Sequence, residues 1–158
     1  ENGNLLPDEA RLNSYGRFLR STSLDELPEL VNIIFGSAGV VGPRPFLVRD
    51  CVFLTDEQRR RHTVRPGLTG LAQVNGRNNI TWEQKFEYDL QYIDKGITFK
   101  GDLVIILKTI AKVIKRSDVV REGTVSDMDY GDWLMMEGKV DQATYDEKQE
   151  EARQLLKV

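Results

Sequence analysis

Two stretches rich in glycine and proline constrain the fold more than any other feature of this sequence. The first, "GSAGVVGPRPFLV" at residues 36–48, encloses Arg44 between two prolines. The second, "TVRPGLTGLAQVNGRNNI" at residues 63–80, contains Pro-Gly, Thr-Gly and Asn-Gly pairs. Neither composition supports a long helix. We expect a rigid turn flanked by short extended segments in the first stretch, and a loop with a small β-hairpin in the second.

Helical patterns surround these two stretches. Capping boxes at Thr55–Gln58 and Thr81–Gln84 predict helices that end near His62 and Asp94. In the C-terminal region, "WLMMEGKVDQATYDEKQEEARQLL" predicts a small acidic helical hairpin whose second helix is capped by Thr144 and Glu147.

The segment "TSLDELPEL", residues 22–30, combines a helical apolar period with two adjacent acids, Asp25 and Glu26, and with Pro28. A proline beyond the first turn of a helix costs about 3 kcal/mol, so the helix begins near Leu27 or its first turn is distorted. Gly36 is the expected stop. In either case both acids lie at the positively polarised end of a helix, which favours their ionised forms.

The longest helix is predicted at residues 101–116, where six apolar side chains form a stripe and three lysines lie opposite. The stripe comprises Leu103, Ile106, Leu107, Ile110, Val113 and Ile114. Two interpretations are open. The helix is a core helix with a solvated lysine face, or it lies on anionic lipid headgroups.

Length and composition predict a single folded domain. The chain has 158 residues, 40% hydrophobic and 30% charged, with one cysteine, Cys51, and no apolar run long enough to span a membrane. Residues 1–116 carry 17 basic and 14 acidic side chains (+3), and residues 117–158 carry 5 and 11 (−6). We expect a mixed α/β, mainly helical catalytic domain at 1–116, followed by a linker and an acidic helical extension at 117–158.

The candidate site combines the acid pair with arginines that occur in loop-like motifs. Arg20, Arg44, Arg65 and Arg77 lie in "RSTSLDELP", "GPRP", "RPG" and "NGRN". Guanidinium groups bind phosphates bidentately and keep their charge, so several on rigid loops suit a diphosphate ligand. The alternative is structural, with acids that begin a helix and arginines that form salt bridges.

Several other functions are disfavoured. His62 has no second histidine and no cysteine cluster around it, which argues against a zinc site. The run "RRRH" at residues 59–62 is typical of a solvated helix face, and the slightly acidic chain has few aromatic residues among its basic ones, so we expect no nucleic-acid binding. Walker, dinucleotide-binding and nucleophile-elbow motifs are absent from the sequence.

Taken together, the motifs "RFLRSTSLDELPEL", "VGPRP", "RRHTVRPGLTGLAQVNGRN" and "KFEYDLQYID" closely resemble the bacterial sugar transferases. These are monotopic phosphoglycosyl transferases, which make polyprenyl-diphosphate sugars. The resemblance extends over about residues 11–116. It implies that a sugar 1-phosphate passes from a nucleotide sugar, commonly a UDP-hexose, to polyprenyl phosphate, and that UMP leaves. This is the first membrane step of exopolysaccharide, capsule or O-antigen synthesis, on the cytoplasmic face of the bacterial inner membrane.

The resemblance also implies roles for individual residues. Asp25 matches the nucleophile that forms a covalent phosphosugar ester, and Glu26, together with Asp25, matches the Mg²⁺ ligands. Contact with the diphosphate or nucleotide is implied for the "GPRP" residues and the remaining arginines. These are Arg20, Pro43, Arg44, Pro45, Arg65 and Arg77.

Three departures from the family pattern modify these expectations. The family's N-terminal membrane segment does not occur in this sequence, so the chain is expected to be a soluble fragment with little or no activity on the lipid acceptor. Ser37 and Ala38 replace an acid and a methionine, which motivates an alternative: a protein that binds a nucleotide sugar without turnover. The acidic tail at 117–158 lies outside the core resemblance, which motivates a second alternative, an assembly module, and a possible homo-oligomer.

Overall fold

The computed structural model describes residues 13–21, 27–76, 80–115 and 128–157. The chain divides into two compact units, residues 1–37 and 38–158. In chain order the elements are α1 (Ser14–Ser21), α2 (Glu29–Ile34), β1 (Gly39–Val41), α3 (Val48–Cys51), α4 (Asp56–Arg59), a 3₁₀ turn (Arg60–Thr63), β2 (Gly67–Thr69), α5 (Leu71–Asn75), α6 (Trp82–Asp94), α7 (Phe99–Lys115), α8 (Tyr130–Met136) and α9 (Gln142–Leu155). The predicted fold class, mainly helical with a little β structure, is confirmed.

In the first unit, helix α2 begins at Glu29, directly after Pro28, which agrees with the alternative of a start near Leu27. A proline at this position lacks only an N–H that would have no partner in the helix. The helix ends at Ile34, two residues before the predicted stop Gly36, whose φ of 77° suits glycine. The Gly36 and Ser37 amides donate to the carbonyls of Ile33 and Asn32, which forms a Schellman cap.

In the second unit the predicted hairpin is wrong. Strand β1 pairs with β2 in parallel, with Gly39 opposite Gly67 and Val41 opposite Thr69. Parallel strands cannot be joined by a tight turn, and here the chain from 42 to 66 connects them. The Asn-Gly pair of the second stretch ends helix α5 instead, where the Asn75 side chain donates to the Leu71 carbonyl at 2.8 Å.

The main hydrophobic core of the second unit is aromatic. Its buried members are Leu54, Trp82, Phe86, Tyr130, Trp133 and Leu134. Helix α6 contributes two of these rings, and its capping box at Thr81–Gln84 is formed as predicted. Helix α8 contributes three members, so the described part of the C-terminal region packs into the same core as α6. The domain boundary predicted at 116/117 lies outside the described residues and stays a prediction.

The C-terminal helices form the predicted hairpin, with one correction. The N-cap of α9 is Asp141, whose carboxylate accepts from the Thr144 amide at 2.8 Å, so Thr144 lies inside the helix rather than at its cap. Aspartate is as good an N-cap as threonine and lies three residues before Thr144, which is the usual capping distance.

Helix α7 packs on the rest of the second unit through a narrow face that contains both polar and apolar side chains. Ile105 is buried, Asp102 accepts from the Tyr92 hydroxyl at 2.8 Å, and Thr109 shares a hydrogen bond of 2.6 Å with Thr69. The predicted stripe mostly faces away: Leu103, Leu107, Ile110, Val113 and Ile114 are exposed. The interpretation of that stripe as the core face is therefore wrong. No helix in the described ranges is both long and apolar enough to cross a bilayer.

Candidate anion-binding site

The structure describes part of the predicted site. Pro43, Arg44, Pro45 and Arg65 lie in described loops of the second unit. Arg20 lies in α1, but its side chain is not described. Asp25, Glu26 and Arg77 lie outside the described residues, so their predicted roles stay predictions.

Three glycines bring the loops of Arg44 and Arg65 together at what we call the glycine crossing, formed by Gly42, Gly67 and Gly70. The Gly67 amide donates to the Pro43 carbonyl at 3.1 Å, and the Gly42 amide donates to the Thr69 carbonyl at 2.8 Å. A Cβ on Gly67 would lie 2.1 Å from the Gly42 nitrogen, and one on Gly42 would lie 2.3 Å from the Arg65 carbonyl oxygen. Backbone this close leaves no room for any side chain.

The two arginines next to the glycine crossing are exposed residues on a fixed backbone. Pro43 is buried, and Arg44, Pro45 and Arg65 are exposed. Two prolines hold φ on either side of Arg44, which lowers the entropy lost when its guanidinium binds a ligand. The arrangement presents two permanent positive charges from neighbouring rigid segments, which suits an anion with several oxygens.

A buried ion pair lies beneath this loop. Arg61 is 3% exposed, and its Nε and Nη2 donate to Oδ2 of Asp89 at 3.1 and 2.6 Å. The same Nη2 donates to the Arg44 carbonyl at 2.7 Å. The guanidinium carbon lies 3.4 Å from the ring centroid of Phe46. Arg61 thus contacts the loop at two points, the carbonyl of Arg44 and the ring of Phe46.

Burial perturbs the titration of both partners. It raises the pKa of the Asp89 carboxyl, and the Arg61 charge opposes that rise; it lowers the pKa of Arg61, and Asp89 opposes that change. A guanidinium keeps its proton in proteins, so Arg61 stays charged, and the two bonds that it donates to Oδ2 favour the ionised form of Asp89. Removing one partner of such a pair leaves a buried charge without compensation, at a cost of about 3–5 kcal/mol.

Sequence reasoning missed this pair because Arg61 lies in a run of three arginines that was interpreted as a solvated face. The sequence feature that could have revealed the pair lies in helix α6. Asp89 follows the helical spacing of Trp82, Phe86 and Tyr92, and all four are buried. An acid on an apolar stripe requires a buried cationic or donor partner, and the arginine run could have supplied it.

Among the described residues, no three His, Cys, Asp or Glu side chains come together in a way that could hold a metal ion. The predicted ligands Asp25 and Glu26 lie outside those residues. Two adjacent carboxylates are hard oxygen ligands of the kind that Mg²⁺ prefers, so the Mg²⁺ site stays a prediction on their chemistry alone.

The geometry therefore defines a mainly helical domain in which two arginine-bearing loops meet at the glycine crossing. Comparison with known families is more specific. Residues 2–116 match the family model described as bacterial sugar transferase, and the chain belongs to that family.

Three curated relatives illustrate the similarity. The chain is 52% identical over 112 residues to the uncharacterized sugar transferase EpsL of Bacillus subtilis, covering 71% of this chain and 55% of EpsL. It is 40% identical over 113 residues to the undecaprenyl-phosphate galactose phosphotransferase of Salmonella typhimurium, covering 72% of this chain and 23% of that protein. It is 45% identical over 118 residues to the UDP-glucose:undecaprenyl-phosphate glucose-1-phosphate transferase of Klebsiella pneumoniae, covering 66% and 24%. The chain thus spans about half of EpsL and about a quarter of the other two.

Proposed function

We propose that this chain is the catalytic part of a phosphoglycosyl transferase that moves a sugar 1-phosphate from a nucleotide sugar, a UDP-hexose, to polyprenyl phosphate. One observation carries the proposal: the glycine crossing and the Arg61–Asp89 pair hold the exposed Arg44 on a fixed backbone beside Arg65. The names of two relatives, which specify galactose and glucose transfer to undecaprenyl phosphate, support the substrate class.

The proposed reaction has two phosphoryl-transfer steps. The Asp25 carboxylate attacks the β-phosphorus of the nucleotide sugar, the bond from that phosphorus to the bridging oxygen breaks, and UMP leaves with the electron pair. An oxygen of polyprenyl phosphate then attacks the same phosphorus, releases Asp25 and yields the polyprenyl-diphosphate sugar. Asp25 needs to be ionised for this attack. Bound Mg²⁺, held by Asp25 and Glu26, would supply positive charge to phosphate oxygens.

The arginines bind and neutralise the diphosphate in this scheme. Arg44 and Arg65 come from the two loops at the glycine crossing, and Arg20 and Arg77 complete the proposed set. Pro43 and Pro45 keep the Arg44 loop rigid, so that less entropy is lost on binding.

Helix α7 supports the further proposal that the protein works on an anionic membrane surface, the cytoplasmic face of the inner membrane. Its outward stripe includes Leu107 at 57% and Ile114 at 76% exposure. The helix carries four lysines, at 100, 108, 112 and 115, against a single acid, Asp102, which contacts Tyr92. Exposed apolar side chains combined with lysines fit the boundary between headgroups and acyl chains.

The test uses the full-length protein in membranes, with Mg²⁺, polyprenyl phosphate and a panel of UDP-hexoses, and measures UMP release. We expect release with at least one sugar. Arg44→Lys keeps the charge but loses the bidentate contact, so we expect the KM for the donor to rise at least about ten-fold, whereas the matched variant Arg153→Lys on the exposed face of α9 leaves it unchanged. Nucleotide-sugar binding without UMP release across the whole panel would instead indicate a binding protein.

A further inference from the structure

The C-terminal helices lie beyond the family match, which ends at residue 116, yet they contact the helix that follows the Arg44 loop. That helix, α3, begins three residues after Pro45. Both α8 and α9 pack against it. The tail, defined here as residues 128–157, is therefore connected to the Arg44 loop through α3.

The polar contacts between the tail and α3 involve both charged residues of α3. Asp50 is 4% exposed and accepts from the Tyr130 amide at 2.8 Å. Burial, together with repulsion from Asp129, raises the pKa of Asp50 to about 6, so the carboxylate is mostly ionised at neutral pH. Arg49 lies 2.9 Å from Asp129 and 3.5 Å from the Tyr145 hydroxyl.

The apolar contacts reach the loop itself. Phe46, two residues after Arg44, packs edge-on against Trp82 at 5.2 Å and against Phe86 at 5.7 Å between ring centroids. Tyr130 of the tail packs on the same two rings, at 5.1 Å from each. The loop and the tail thus pack on the same two rings of α6, and the Arg61 guanidinium lies over the Phe46 ring.

We infer that the tail is a positioning element of the transferase: it holds α3 and Phe46, and through them it keeps the Arg44 loop in the orientation that binds the diphosphate of the donor. The inference rests on the proposed function for the identity of the ligand. Its geometric part, that the tail controls the loop, is independent of that function.

The experiment breaks and restores the Arg49–Asp129 contact in the full-length protein. Arg49→Glu and Asp129→Arg each place like charges together, and the double variant restores an opposite pair. The matched control is Arg153→Glu, because Arg153 pairs at 2.8 Å with Glu150 on the exposed face of the same tail. The readouts are amide hydrogen exchange of residues 43–51, and KM and kcat for the donor.

We expect each single variant to speed exchange at residues 43–51 about ten-fold and to raise the donor KM about ten-fold with little change in kcat, since slight misplacement of a binding group costs up to about 100-fold. The double variant should return both values most of the way to wild type; a remainder is expected because a carboxylate at position 49 still faces Asp132, which lies 3.6 Å from Arg49 in the wild type. Arg153→Glu should change neither. If Arg49→Glu does not fold, Tyr145→Phe, which removes the hydroxyl near Arg49, gives the same readouts with a smaller effect.

Two results would overturn the inference. One is a lower unfolding midpoint with unchanged exchange at 43–51 and unchanged donor KM, which would make the tail a stabilising cap only. The other is a double variant no better than the singles. If the wild type releases no UMP with any sugar, the proposed function fails, and the exchange measurement alone still decides whether the tail controls the loop.

Discussion

Helices α6 and α7 are consecutive and both amphipathic, but they use their apolar faces in opposite ways. Helix α6 buries Trp82, Phe86 and Tyr92, together with the charged Asp89. Helix α7 buries one residue, Ile105, and exposes most of its stripe. An apolar period in a sequence thus identifies a helix without identifying what covers it. In this protein the first helix packs under the Arg44 loop, and the second leaves most of its stripe exposed.

The largest effect should come from removing a ring of the α6 face. Phe86→Ala deletes a 4%-exposed ring from the aromatic core and should lower the free energy of unfolding by about 3–5 kcal/mol. Leu107→Ala, on the exposed stripe of α7, should cost less than about 1 kcal/mol. Urea unfolding of both variants measures the difference. Similar losses at the two positions would mean that the α7 stripe is covered within the protein.

Breaking the ion pair beneath the loop should cost nearly as much. Arg61→Leu leaves Asp89 buried without a partner, and we expect a loss of about 3–5 kcal/mol in unfolding free energy. Arg60→Leu is the matched control: the neighbouring arginine forms exposed ion pairs with Glu57 and Asp94, which contribute little. Equal unfolding midpoints for the two variants would show that the buried pair does not support the fold.

Substitutions on the exposed face of α7 should weaken lipid binding and leave the stability of the fold unchanged. Lys108→Gln combined with Lys115→Gln should weaken binding to vesicles rich in phosphatidylglycerol by about 1 kcal/mol per lysine, roughly 30-fold in total, with an unchanged unfolding midpoint. The pair Lys148→Gln and Lys157→Gln, from the tail, serves as the control. Vesicle sedimentation measures the binding. An equal loss of vesicle binding in both double variants would contradict the proposal that α7 binds lipid.

The smallest effect should come from the polar contact between the two helices. Tyr92→Phe removes the hydroxyl that donates to Asp102 at 2.8 Å. We expect a loss of about 1 kcal/mol in unfolding free energy, because Asp102 is only half-buried and water can replace the donor. A loss as large as that of Arg61→Leu would indicate that α7 depends on this single bond.

Local signals predicted helices α2, α4, α6, α7, α8 and α9, whereas helices α1, α3 and α5 and the parallel strand pairing were not predicted. The capping boxes at Thr55 and Thr81 are formed, because a capping box depends only on residues three apart. The parallel pairing of β1 with β2 joins segments more than twenty residues apart, which no turn motif reports. Arg61 could not be distinguished from its neighbouring arginines without knowing where Asp89 lies. The sequence placed Arg44 and Arg65 in loops, and the structure brings the backbones of these loops together at the glycine crossing, whereas their role in binding stays a prediction.

The central claim is that a covalent phosphosugar forms on Asp25 while the arginine loops hold the donor. The most direct measurement is the intact mass of the full-length protein after incubation with Mg²⁺ and a UDP-hexose, with polyprenyl phosphate left out. The account predicts a mass increase of one hexose phosphate, its absence in Asp25→Asn, and its loss when polyprenyl phosphate is added. An unchanged mass in a preparation that releases UMP, or an undiminished adduct in Asp25→Asn, would contradict it.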